Sequence, residues 1–278
     1  MRLATTLFVA LALVPTISRS AVQRARYLMG TVCEVAVADA PGADAKIEAA
    51  FAEAARVEAM LSTWSDASEL ARVNRGEAPG DELRALLDET LAWRKRTNGA
   101  FDPQLGRVIA SHRVACTTDA CWEEGAFGKG YALDRMLARL SGDEAVIDFG
   151  GQILARGELR VSIADPQDRK KPILAFTLHD ASLSTSSNSE QRHLIDPRSR
   201  KLLPARGSVS VLADDALTAD ILSTALFVMG EDDGLRWADA NGVAAIFINP
   251  HRIVRRSARA RERVRDLELL DRNFKLKD

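Results

Sequence analysis

Ala219-Asp220-Ile221-Leu222-Ser223-Thr224-Ala225-Leu226 follows the apolar run Val209 to Leu212 and leads into Phe227, Val228, Met229 and Gly230. Read as a helix closed by Gly230, this stretch places Asp220 and Thr224 one turn apart on one face. A carboxylate and a hydroxyl so placed form a hard oxygen pair of the kind that holds Mg²⁺ beside a phosphate. The neighbouring elements set the fold class. Upstream, strand-like segments run in a block: Ala145 to Phe149, Leu159 to Ile163, Ile173 to Leu178 and Ser208 to Leu212. Before them stand three helical patterns, Ala43 to Leu61 with a stripe of Ile47, Phe51, Ala54 and Ala55, Asp81 to Thr97, and Gly130 to Leu140. A first strand, Thr31 to Ala38, precedes these, and a short helix from Leu235 to Ala240 and a closing strand from Val243 to Asn249 follow the Asp220 helix. Strands and helices in uneven blocks predict an α+β fold, mixed sheets with packed helices, over a regularly alternating parallel sheet.

The chain has 278 residues, of which 46% are hydrophobic, so a sizeable core is expected and disorder is not. A formal charge of −1 provides no overall field for nucleic acid, and no nucleic-acid partner is expected. Residues 1–20 read as a secretory signal peptide: Arg2, an apolar core from Leu3 to Val14, Pro15, and Ser18 and Ser20 at the small-residue positions before Ala21. The expected address is therefore exported and periplasmic, with retention at the inner membrane if the signal stays uncleaved, and residues 21–278 are expected to form one domain. Of three cysteines, Cys33 sits in a strand-like run and reads as core, while Cys116 and Cys121 either pair as a disulfide or remain two thiols. The tail from Arg252 to Asp278 interleaves basic and acidic residues and reads as a solvated charged face.

Five segments carry candidate chemistry. They are Tyr27-Leu28-Met29-Gly30-Thr31; Leu61-Ser62-Thr63-Trp64-Ser65-Asp66 running on through Ser68-Glu69-Leu70 to Asn74; Gly99-Ala100-Phe101-Asp102-Pro103; Gly125-Ala126-Phe127-Gly128-Lys129-Gly130-Tyr131-Ala132-Leu133-Asp134 with Asp148-Phe149-Gly150-Gly151; and Ser184-Thr185-Ser186 through His193-Leu194-Ile195-Asp196-Pro197 to the Asp220 helix. The fourth is a glycine-rich turn entering a helix, where open backbone N–H groups, the positive helix end and Lys129 would favour an anion. It lacks the spacing of a Walker loop. Gly150-Gly151 either admits a ligand to the backbone or makes a turn. Trp64 and Phe101 either face a flat ring or pack in the core. His193 is one of four histidines and is a candidate general base or a structural residue.

In this order the segments resemble the FAD:protein FMN transferase family, the ApbE-type flavin transferases, from Tyr27 to about Gly230. The resemblance implies an ApbE-like fold and Mg²⁺-dependent transfer of FMN from FAD to a Thr or Ser hydroxyl of an acceptor flavoprotein, such as a subunit of a membrane respiratory complex, with release of AMP. By the same resemblance Asp220, Thr224 and the carbonyl of Ala126 match the Mg²⁺ ligands. Met29, Trp64, Ala100, Phe101, Asp102, Glu123, Lys129 and Ile195 match FAD-contacting positions, and His193 matches the residue that activates the acceptor hydroxyl. The chain departs from the family pattern at Trp64, where a Tyr is usual, and at Glu123, where an Asp is usual. Thr185 to His193 is shorter than in typical members. Two other activities stay open on that account: a Mg²⁺-dependent FAD pyrophosphatase yielding FMN and AMP, and a non-catalytic exported FAD-binding protein.

Overall fold

A computed structural model of the chain describes residues 21–109, 115–117, 119–140, 142, 144–188 and 194–277. The signal-peptide segment and His193 lie outside the described residues. In chain order the elements are β1 (Ala21–Leu28), β2 (Thr31–Ala38), α1 (Ala43–Leu61), α2 (Glu69–Asn74), α3 (Asp81–Arg96), α4 (Gly106–Ile109), α5 (Gly128–Leu137), β3 (Ala145–Phe149), β4 (Gln152–Asp165), β5 (Asp168–Ser187), β6 (Ile195–Asp196) and β7 (Lys201–Leu202). They continue with β8 (Ser208–Ala213), α6 (Ala216–Met229), α7 (Glu231–Ala240), β9 (Ala244–Ile248), β10 (Ile253–Arg256), α8 (Ala258–Arg263), β11 (Arg265–Leu269) and β12 (Lys275–Lys277). Among the described residues, ten strands join one sheet in the order β1-β2-β3-β4-β5-β8-β9-β10-β12, with β11 on β5, while β6 and β7 form a separate hairpin. The expected α+β class holds.

Two hydrophobic cores lie on opposite faces of this sheet. The first joins α1, α3, α5 and α6 to inward residues such as Cys33, Ile147, Val209, Val211, Ala245 and Phe247. The second sits under the outer half of the β4–β5 hairpin and takes the alternate residues Leu212, Ala244, Ile246 and Ile248. Strands buried on both faces lose the polar alternation of a half-exposed sheet, which is why β9 reads as an unbroken apolar run. The β4–β5 hairpin is longer than either of its apolar segments predicts, because its register shifts between Ala155 and Glu158, beside Gly157, and the outer half pairs with β11.

Three expectations need correction. The chain does not close at the strand near Asn249: the charged tail supplies β10, α8, β11 and β12 and buries Val254, Ala260, Val264 and Phe274 in the second core. Its apolar residues are too widely spaced to show a period, so only packing reveals them. The inward stripe of α1 runs through Glu53, and Ala55 is exposed. Glu53 is buried because Arg56, Arg135 and Arg139 all reach it, at 2.7, 3.4 and 2.9 Å. These charges hold its carboxyl down to about 2, against the burial that opposes ionisation. The third helix starts at Gly128 rather than Gly130 and ends at Leu137.

Candidate active site

Two tight turns define one end of the sheet. Leu28 pairs with Thr31 and Phe149 pairs with Gln152, leaving Met29-Gly30 and Gly150-Gly151 as two-residue connections. All four residues have positive φ, at 45°, 77°, 64° and 90°, the requirement of a primed hairpin turn. The turns interlock: a Cβ on Gly150 would fall 2.7 Å from Thr31 Cγ2, and the Gly150 N–H donates to the Val32 carbonyl at 3.0 Å. Gly150-Gly151 is thus a turn, with its Gly151 N–H donating to Asp148 Oδ1 at 2.8 Å.

The crossing of α5 and α6 places the Asp220 carboxylate. A Cβ on Gly130 would meet the Ala216 carbonyl oxygen at 2.4 Å and Asp220 Cβ at 2.8 Å, so glycine is what lets the helices touch. At the contact the Gly130 N–H donates to Asp220 Oδ2 at 2.9 Å. One helical turn along, Asp134 accepts from the Ala216 and Leu217 N–H groups at 2.7 and 2.9 Å and caps α6. Burial pushes the Asp134 carboxyl up to about 6, against those two hydrogen bonds. The Lys-Gly-Tyr-Ala-Leu-Asp motif therefore has an architectural part. Its Tyr131 hydroxyl donates to Glu82 at 2.6 Å, which belongs to the Glu53 network.

Asp220 is 6% exposed. Burial raises its carboxyl above the usual range, opposed by Lys129 and the Gly130 N–H. Lys129 also acts on Asp148, whose carboxyl burial likewise raises. The Gly130 bond uses Oδ2 of this carboxylate, and a buried carboxylate whose ionised form is disfavoured by burial suits a cation beside it. Thr224 follows one turn later, its hydroxyl 3.5 Å from Ser186 Oγ, and Ser186 also contacts Ser223 Oγ at 2.9 Å. No group of three His, Cys, Asp or Glu side chains clusters among the described residues. A donor set of one carboxylate, one hydroxyl and one main-chain carbonyl is instead the sparse oxygen set that Mg²⁺ uses when substrate phosphates complete its shell. The residues present fit that ion.

The helix end that the sequence offers to an anion is partly taken. Phe127 and Gly128 donate to the Glu124 carbonyl at 3.1 and 2.7 Å, Gly125 donates to Glu123 Oε2 at 2.9 Å, and Gly130 is held by Asp220. Negative charge near this end is drawn by the Lys129 side chain rather than by a row of open amides. Glu124, which no sequence pattern marks, also accepts from Thr63 N and Thr63 Oγ1, both at 3.1 Å. That bond ties the Trp64 turn to the Ala126 loop. Trp64 is 76% exposed, which removes the core reading. Phe101 is the opposite case: at 1% exposure it is core, as is Ala100, while Asp102 is half-buried. Asp102 pairs with Arg94 at 3.2 Å and accepts from the Gln104 N–H at 2.9 Å. The Glu123 N–H donates to the Pro103 carbonyl at 3.0 Å, joining this segment to the loop before α5.

Asn74 explains how the loop from 115 to 122 is anchored. Its amide exchanges bonds with Trp122, Oδ1 accepting at 2.7 Å and Nδ2 donating at 3.0 Å, and its carbonyl accepts from Thr117 N. Cys116 and Cys121 in this loop form a disulfide, resolving the pairing that the sequence leaves open, and Cys33 is a buried free thiol. Ile195 lies in the β6–β7 hairpin. Arg198 of that hairpin donates to the Asn98 carbonyl at 3.2 Å, next to the turn that leads into Ala100. Met29, Trp64, Ala100, Asp102, Glu123, Ala126, Lys129, Asp220, Thr224 and Ile195 thus belong to segments joined by direct bonds or packing, with Phe101 behind them.

The profile of the ApbE family matches residues 29–121 and 122–247. The chain belongs to the ApbE family. A curated relative, the FAD:protein FMN transferase of Treponema pallidum, is 30% identical over 88% of this chain and 89% of its own length. The FAD:protein FMN transferase of Rhodobacter capsulatus is 28% identical over 79% of this chain, which spans 54% of that longer protein. The ApbE fold is shared with solved structures at low identity. The ApbE protein of Thermotoga maritima superposes with a TM-score of 0.79 at 20% identity, covering 89% of this chain and 100% of that one. The apo flavinyl transferase ApbE of Pseudomonas stutzeri gives 0.77 at 21% identity, covering 88% and 96%. In this ApbE-family chain both interlocked turns, the α5–α6 crossing and Asp220 fall inside the matched residues.

Proposed function

We propose that the chain is a Mg²⁺-dependent FAD:protein FMN transferase that joins FMN to a Ser or Thr hydroxyl of an acceptor flavoprotein and releases AMP. The observation that carries this reading is the buried Asp220 carboxylate, anchored through Oδ2 by the Gly130 N–H, one turn ahead of Thr224 and within the field of Lys129. Asp220, Thr224 and the Ala126 carbonyl would hold Mg²⁺, which when bound supplies charge neutralisation at the FAD pyrophosphate. Lys129 draws the same phosphates as a point charge. The solvent-exposed Trp64 side chain would stack on a flat ring of FAD, and Ala100, Phe101 and Asp102 would contact FAD as the family resemblance implies. The acceptor oxygen forms a bond to the FMN-side phosphorus while the bond from that phosphorus to the bridging oxygen breaks, and AMP departs with the bridging oxygen. His193 takes the proton of the attacking hydroxyl. Positioning and charge do most of the catalytic work in such a transfer.

The test is a mixture of purified protein, FAD, Mg²⁺ and a candidate acceptor flavoprotein, read by acid-stable flavin fluorescence on the acceptor and by AMP release. Asp220→Ala is expected to abolish both, since loss even of a ligand's supporting bond costs about 10–100-fold. Wild-type labelling by that variant would remove the metal assignment. A second reading, hydrolysis of FAD to FMN and AMP, is favoured by the Thr185–His193 segment, shorter than in typical family members, and AMP without a labelled acceptor would establish it. FAD binding without AMP would instead mark a carrier.

We further propose that residues 1–20 direct export to the periplasm, that residues 21–278 form one transferase domain, and that the acceptor is a subunit of a membrane respiratory complex. The Cys116–Cys121 disulfide supports the exported address, because such bonds persist in oxidising compartments.

A further inference from the structure

The β6–β7 hairpin pairs only Ile195 with Leu202 and Asp196 with Lys201, a ladder too short to hold its own position. Its turn is braced internally by Asp196, which accepts from Arg198 N at 3.0 Å, from Ser199 Oγ at 2.9 Å and, through its carbonyl, from Arg200 N at 2.8 Å. Its base is braced by Asn188, the residue that follows β5. Asn188 is fully buried, at 0% exposure. Its Oδ1 accepts from Leu194 N at 3.0 Å, and its Nδ2 donates to the carbonyls of Leu203 at 3.0 Å and Leu194 at 3.3 Å. The Leu203 N–H donates to the Leu194 carbonyl at 2.9 Å and completes the ring. One amide side chain thus acts as a third strand across the base of the hairpin. Aspartate there would set a carboxylate against two carbonyl oxygens.

We infer that Asn188 is a positioning residue for flavin transfer, holding the Leu194–Leu203 hairpin, and with it Ile195, against the end of β5 so that this wall of the flavin site has one register. The inference rests on the transferase reading for its catalytic consequence and on the hydrogen bonds alone for its structural one. The hairpin bridges β5 and the end of α3, because Arg198 at its turn donates to Asn98. Loss of Asn188 frees the base while leaving the Asp220 crossing untouched.

The test uses the whole protein and the variants Asn188→Ala and Asn188→Asp. In Asn188→Ala, turnover per FAD-binding site is expected to fall about 10–100-fold, as small misplacements of a positioned wall do, with a much smaller change in Mg²⁺-supported FAD affinity. Asn188→Asp should recover as pH falls, since a protonated carboxyl restores one donor and the acceptor, so its activity ratio to wild type rises toward acid. A merely structural role would lower the melting temperature and the fraction of binding sites while leaving turnover per site and the pH ratio unchanged, and that result overturns the inference. Hydrogen exchange supplies a readout independent of activity. The Leu194 and Leu203 amides should exchange about tenfold faster or more in Asn188→Ala, whereas amides in α6 should not change. Equal exchange overturns the inference even if the wild-type protein neither labels an acceptor nor releases AMP, an outcome that would count against the transferase reading alone.

Discussion

The two sides of the candidate site are built differently. The Asp220 side is part of the first core: two helices cross at a glycine, and backbone N–H groups hold Asp134 and Asp220 where packing places them. The Ile195 side is a surface hairpin whose position depends on the amide of Asn188 and the guanidinium of Arg198. The contrast teaches that the Asp220 side, where the proposed phosphate and metal chemistry would sit, tolerates little change without unfolding, whereas the proposed flavin wall can be shortened or rebuilt while the fold survives.

The largest effect expected in breaking this contrast is at Gly130. In Gly130→Ala the new methyl meets backbone at 2.4 and 2.8 Å, atoms that no flexible side chain can move aside. A loss of about 3 kcal/mol or more is expected, together with loss of Mg²⁺-supported FAD binding, measured by thermal melting and calorimetry. A variant that melts like wild type would mean that the helices are not held at this contact.

A smaller effect probes the support beneath the Asp220 side. Glu53 ionises more readily folded than unfolded, so its contribution is present above the unfolded carboxyl range near 4.5 and is lost as pH falls toward about 2. Glu53→Gln should lower stability by about 2 kcal/mol at neutral pH, an amount typical of charged hydrogen bonds, and the gap to wild type should close between those limits. Parallel denaturation curves at pH 7 and pH 3 measure it. The smallest effect sharpens the other side: Arg198→Ala removes one exposed bond to the Asn98 carbonyl, and transfer should slow by only about threefold with no change in melting temperature.

The sequence made the regular elements legible where packing and periodicity agree. The bounds of α1, β2 and β3 match their predicted spans, because each carries a full apolar period on one buried face. Elements without that agreement were hidden. Strand β1 alternates with Arg24 and Arg26 at an exposed edge, and β10 to β12 are mostly charged. For the site, the motif order pointed to Asp220, Thr224, Ala126 and Lys129. It could not separate the exposed ring of Trp64 from the buried one of Phe101, since aromatic residues at loop positions serve either use.

By itself, the order of residues determined the helix carrying Asp220 and Thr224 on one face and the family to which the chain belongs, because short-range periodicity and motif spacing are local properties. Only the tertiary structure decided that Gly130 and Asp134 serve that helix, that Glu53 points inward, that Cys116 meets Cys121, and that Asn188 closes the hairpin. Each of these is a contact that no local period or motif specifies, made when folding brings the groups together and burial requires their polar atoms to be paired.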